Sequence, residues 1–162
     1  ARVVCGSGEI ARRFERIRAG VLARPREAVE LRHDVVEMRE RMRQELDKSG
    51  ADGIDLKQSR GGIVDVEFMV QCGVLLWSSE QAELLNFTDN LNLLDAFSRY
   101  GLLPDADART LAEAYCTIRQ RINHLALQEK PPLVGADALL AQREAVARIW
   151  DSLLGEKVKS EK

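Results

Sequence analysis

The chain has 162 residues, with 24 Lys and Arg against 26 Asp and Glu for a formal net charge of -2, and is 45% hydrophobic and 31% charged. That balance gives no electrostatic footprint for bulk nucleic acid or an acidic membrane, and the length and apolar content suit a globular core rather than a disordered chain. The longest apolar stretch, 63–77, is interrupted by Asp65, Glu67 and Gln71 and falls short of the roughly 18 clean residues a membrane span needs.

Apolar residues recur at helical rather than alternating spacing, so the expected fold is all-α, a helical bundle of about five to seven helices. A first helix is predicted over 9–23, where Ile10, Phe14, Ile17 and Val21 form a stripe and Ser7 stands at the cap position. Its Arg12, Arg13, Arg16 and Arg18 read as a solvated charged face, with a phosphate-facing surface as the alternative. Pro25 suits the first turn of a second, longer helix whose seam is Ala28, Leu31, Val35, Met38, Met42 and Leu46. Residues 48–62 carry four glycines and read as an ordered loop, because the Ile54-Asp55-Leu56-Lys57 run is too short for a central strand. Residues 63–77 are apolar almost all round a helical wheel, which predicts a central helix. Thr88 is placed to cap a helix through Tyr100, and Pro104 and Asp105 open another to about Gln128 with Leu111, Tyr115, Ile118, Ile122 and Leu125 inward. A last helix is expected over 137–154. The whole reads as a single domain over 1–155 with a frayed tail at 156–162.

Cys5, Cys72 and Cys116 are odd in number, far apart and without CxxC spacing, and His33 and His124 are the two histidines, so neither a disulfide framework nor a structural zinc site is expected. Cys72 reads as a small buried apolar residue. No leader is visible and the chain opens on Ala1, which leads to the expectation of a cytoplasmic piece of a longer protein.

The segment Arg60-Gly61-Gly62-Ile63-Val64-Asp65-Val66-Glu67-Phe68 joins a glycine pair to two carboxylates and an apolar run. On a strand, Asp65 and Glu67 would share a face and could hold a divalent metal; on a helix they stand about 160° apart. The length of the apolar run favours the helix, and with it two separately paired carboxylates. The glycines allow either a tight entry into a crowded helix or a close backbone approach to a phosphate aided by Lys57 or Arg60. Asp105-Ala106-Asp107 reads as helix capping. Arg119, Arg121 and His124 lie on the helix whose other face is core, so Arg119 or Arg121 is the expected buried partner of Glu67 or Asp65, and His124 a structural imidazole.

The string Asp55-Leu56-Lys57, Arg60 to Phe68 and Gln71 resembles the signature of glutamine synthetase adenylyltransferases. Ala1 to Val4, Phe14, Ile17-Arg18, Met38 to Met42, Asp89-Asn90, Leu93-Leu94 and His124 to Glu129 are similar to family positions in the same order. The resemblance implies an enzyme of nitrogen regulation with two similar halves, each a nucleotidyltransferase core followed by a helical domain. One half attaches AMP from ATP to a tyrosine of glutamine synthetase and the other removes it by phosphorolysis. Asp65 within its string looks more like the adenylylating C-terminal half. The family's core, a Gly-Ser turn followed by strand carboxylates that hold Mg²⁺, matches nothing in these residues, so the chain resembles the helical domain alone. ATP and Mg²⁺ are implied for the full-length enzyme, with no cofactor and no activity expected of this piece. The implied partners are the nucleotidyltransferase core, glutamine synthetase and a PII signalling protein, and Lys57, Arg60, Gly61, Gly62, Asp65 and Glu67 are the candidate cleft or interface contacts. A regulatory docking module, or the helical domain of a PII uridylyltransferase, is the alternative.

Overall fold

Six α-helices and one short 3-10 helix are arranged around a buried central helix in this computed structural model, which describes residues 3–50 and 53–155. In order they are α1 (Gly8–Leu22), α2 (Ala28–Leu46), α3 (Ile63–Trp77), the 3-10 helix Ala82–Asn86, α4 (Asn90–Arg99), α5 (Asp105–Leu127) and α6 (Leu140–Leu153). Two-residue strands β1 (Ile54–Asp55) and β2 (Leu133–Val134) pair antiparallel, Ile54 opposite Val134. The all-α bundle expected from the spacing is therefore what the chain forms. The expected frayed tail, 156–162, lies outside the described residues. No helix among the described residues is long and apolar enough to cross a membrane.

The core is centred on α3, which packs against α2, α4, α5 and α6. Val66, Met69, Val70 and Cys72 are almost wholly buried, and Leu94, Phe97, Leu111, Ile118, Val146 and Ile149 close around them. Burial pushes the Cys72 thiol up to about 11, with the Arg32 guanidinium acting in the opposite direction. Crowding explains Gly73 at the middle of α3, since a Cβ there would lie 2.6 Å from Trp77 Cζ3 and 2.8 Å from Phe97 Cε2. Those two rings meet edge to face at 4.9 Å between centroids.

Several element boundaries and one packing face differ from the sequence expectation. Ser7 does cap α1, its Oγ accepting the Ile10 amide at 3.3 Å. Helix α2, however, begins at Ala28 rather than at Pro25, because Glu27 takes the capping position and accepts the Val29 amide. Asp89, not Thr88, caps α4 through the Asn92 amide at 3.0 Å. Helix α6 starts at Leu140 rather than 137, after Leu139 adopts a left-handed φ of 53°. The inner face of α2 is also rotated from the predicted seam: Met38 and Leu46 are 52% and 45% exposed, while Arg39 is 1% exposed.

Filling the space beside Trp77 and Phe97 overpacks the core, so Gly73→Ala is expected to lower the unfolding free energy by ~1–3 kcal/mol. Urea denaturation of the variant against the parent chain measures this.

Candidate functional site

The loop before α3 is built from its own polar groups. Asp55 is buried, and its Oδ1 accepts the amides of Lys57 at 2.8 Å and Gln58 at 3.1 Å, which folds the chain back on itself. Ser59 closes the turn by donating its amide to the Asp55 carbonyl at 3.0 Å. The carbonyls this turn presents then take the first amides of α3: Ile63 N–H donates to Leu56 O at 3.0 Å, Val64 N–H to Lys57 O at 3.3 Å and Gly62 N–H to Ser59 O at 2.9 Å. Gly61 donates its own amide to Asp65 Oδ2 at 2.7 Å. The amides a phosphate would need at this helix start are thus already bonded within the chain. The glycine pair serves the tight entry instead. Gly61 has a φ of +75° and a Cβ there would collide with the Arg143 backbone of α6, while one on Gly62 would lie 2.7 Å from Lys57 O.

Asp65 is the centre of a sealed network. Both its side chain and that of Arg39 are 1% exposed, and Arg39 Nε donates to Asp65 Oδ1 at 2.7 Å. Arg43, one turn further along α2, reaches Oδ1 at 3.3 Å and Oδ2 at 3.5 Å. The remaining Arg39 nitrogens bind Gln58, Nη2 to its carbonyl at 2.7 Å and Nη1 to Oε1 at 3.3 Å, and the guanidinium lies 5.9 Å from the centroid of the Phe68 ring. Every oxygen lone-pair direction of Asp65 in use points at a cation or an amide of the fold, so it does not join Glu67 in a metal site.

The interior cation that pairs with Asp65 comes from α2, not from α5 as the sequence suggests. Arg39 of α2 is the buried cation, whereas Arg119, Arg121 and His124 are all exposed on α5. Arg119 Nη1 donates to the Tyr115 hydroxyl, and His124 Nε2 lies 3.0 Å from Gln128 Nε2. Among the described residues no ion pair joins Glu67 to Arg119 or Arg121. The signal that would have found Arg39 was present: on the α2 wheel it falls in the middle of Leu31, Val35, Val36 and Met42, all of which are at least partly buried.

Glu67 instead stands half-buried on the other side of α3. Its burial holds the carboxyl above its ordinary value of 4.5, an effect that the charges of Arg119 and Lys57 partly oppose. Lys57 and Arg60 are exposed, and Arg60 donates to Asp151 of α6 at 2.7 Å. The candidate residues therefore separate into a buried set, Gly61, Gly62 and Asp65, and a surface set, Lys57, Arg60, Glu67 and Arg119. Beside the latter, Cys116, Arg119, Gln120, Asn123, His124 and Leu127 line an open depression of about 450 Å³.

A family model described as GlnD PII-uridylyltransferase matches residues 29–148, which run from the start of α2 into α6. The chain belongs to this family. Bifunctional glutamine synthetase adenylyltransferase/adenylyl-removing enzymes of Pseudomonas syringae pv. tomato, Pseudomonas aeruginosa and Nitrosococcus oceani are 45%, 43% and 39% identical to it, over 93%, 94% and 97% of the chain. The chain spans only 16–17% of the length of these relatives. The similarity to glutamine synthetase adenylyltransferases read from the Gly-Gly string is thus established.

Two variants separate the two carboxylates. Asp65→Asn leaves Arg39 buried without its counter-charge and is expected to cost ~3–5 kcal/mol, or to prevent folding, as measured by urea melts at neutral pH. Glu67→Gln is expected to change stability by no more than about 1 kcal/mol, because no buried pair is broken. Its effect on pH dependence has a definite sign. A raised folded pKa means that the folded chain holds the proton more tightly than the unfolded chain does. The associated stability is present below 4.5 and is lost as pH rises through the folded value. Melts of parent and Glu67→Gln across that window should show a falling contribution in the parent that the variant lacks.

Proposed function

We propose that this chain is the helical domain of a glutamine synthetase adenylyltransferase, of the half that transfers AMP from ATP to a tyrosine of glutamine synthetase in the cytoplasm. The observation that carries this reading is the separation of the two carboxylates in the Gly-Gly string. Asp65 is consumed by Arg39, Arg43 and the Gly61 amide, while Glu67 stands half-buried on the other side of α3 near Lys57 and Arg119. A domain built this way scaffolds and presents polar groups. It does not itself assemble the charge-neutralising site that adenylyl transfer from a nucleoside triphosphate requires.

Mg²⁺ and ATP belong in this proposal to a nucleotidyltransferase core elsewhere in the full-length enzyme. The residues present do not fit a Mg²⁺ site, since the oxygens of Asp65 are already occupied and Glu67 faces away from it. No chemical step is therefore assigned to this domain. Its part is to hold the surface of α3 and α5 in fixed geometry beside the core and glutamine synthetase. A regulatory surface for a PII protein is a second reading, favoured by the family description that names PII.

Adenylylation is read directly by incubating glutamine synthetase with ATP, Mg²⁺ and the enzyme, and measuring AMP on a tyrosine peptide by mass spectrometry. The full-length enzyme is expected to label the peptide and the 162-residue chain alone to leave it unlabelled. Lys57→Ala and Glu67→Gln in the full-length enzyme are expected to reduce labelling at least ~10-fold with the folded stability retained. Labelling by the isolated chain, or full activity in both variants, would refute the proposal.

A further inference from the structure

Helix α1 does not share the core of the other five helices. None of its residues is buried, and it packs closely against no other helix. It is tethered through Arg18, which donates to the carbonyls of Leu85 at 2.8 Å and Phe87 at 3.2 Å. Just beyond it, Arg26 donates to Leu22, Arg24 and Val21 carbonyls and reaches Leu75 O at 3.4 Å. Yet α1 has the pattern of a helix made to bury one side: of its stripe Ile10, Phe14, Ile17 and Val21, Phe14 alone is partly covered, and Ile10, Ile17 and Val21 are 67%, 57% and 43% exposed. A helix of 15 residues is marginal in water unless such a stripe is covered.

The comparisons divide the chain at the same place. The family model starts at residue 29, after α1 has ended. The relatives' similarity nevertheless extends over 93–97% of the chain, and the uncovered remainder, even if it all lay at the N-terminal end, reaches no further than the first turn of α1. Helix α1 thus accompanies the helical domain in much longer polypeptides without belonging to its family module.

We propose that the Ile10, Ile17 and Val21 face of α1 is a docking surface for a neighbouring domain of the same longer polypeptide, and that the domain boundary falls at residues 23–27 between α1 and α2. The surface that receives it is an apolar groove with a carboxylate on its rim, because the exposed Arg13 lies one turn from both Ile10 and Ile17. Arg18 and Arg26 then act as the latch that fixes the docked domain relative to α3 and the 3-10 helix. This inference rests on the reading above that the chain is part of a longer enzyme, and it replaces the single domain over 1–155 expected from the sequence.

Hydrogen–deuterium exchange of α1 amides, compared between the 162-residue chain and the full-length polypeptide, tests it. Protection of α1 is expected to rise at least ~100-fold in the full-length protein, while α2 to α6 exchange alike in both. Ile17→Glu should abolish that gain in the full-length protein and leave the shorter chain's other helices unchanged. Equal α1 protection in the two forms overturns the proposal, as does protection in the short chain that grows with its concentration, which would identify a second copy as the occupant. Adenylylation assayed on the same full-length sample keeps the two readings apart. Protected α1 without adenylylation leaves the docking surface standing and refutes the proposed function; adenylylation with unprotected α1 does the reverse.

Discussion

The contact between Asp65 and Arg39 is the constraint on which the rest of this domain is arranged. It joins α2 to α3, and the other arms of the same two side chains hold the Gln58 backbone and the Gly61 amide, so that three separate stretches of chain meet at one pair of charges. A buried ion pair is not in itself a source of large net stability, since the loss of water from both charges offsets much of their attraction. What it supplies is a unique alignment. Sliding α2 along α3 by one residue would leave both charges in the core without partners, whereas a purely apolar seam would tolerate such a slip.

That alignment decides what the Gly-Gly string can do. Because the 55–62 turn is held by Arg39 from below and by its own carbonyl-to-amide bonds from above, it fits flush against α6, and only glycine at position 61 allows the approach to the Arg143 backbone. A glycine pair at a helix start looks from sequence like a phosphate cradle, but a cradle needs free amides, and these are already bonded. The residues of the Gly-Gly string therefore work on the fold, leaving Lys57 and Arg119 exposed and Glu67 half-buried beside them.

The helical content, the central place of 63–77, the burial of Cys72 and the inward stripe of α5 were legible because each rests on apolar periodicity, and the strong apolar signal of α3 dominates its neighbours. The pairing of Asp65 was not legible in the same way. Periodicity ranks residues by hydrophobicity, so it set Met38 and Leu46 inward and left Arg39 outside, although the position of Arg39 on the wheel is inner. Burial of a charge is decided by a partner across the interface, and that partner lies 26 residues away in a different element. The late start of α6 was equally hidden, since it depends on the left-handed conformation of Leu139, a residue type with no preference for it.

The half-burial of Glu67 follows from the same geometry. Asp65 must point toward α2, and the helical repeat then sends Glu67 to the opposite side of α3, toward α5 rather than into the network. There it loses enough water for its carboxyl to be held above the ordinary range, but it lies too far from Arg119 for a contact ion pair to compensate. Glu67 is thus a half-buried carboxylate whose lost hydration is only partly offset by the charges of Arg119 and Lys57, in contrast to the fully paired Asp65. The structural role in this string belongs to Asp65, while Glu67 stands half-buried on the opposite side, a division imposed by a spacing of two on a helix whose other side is fixed by Arg39.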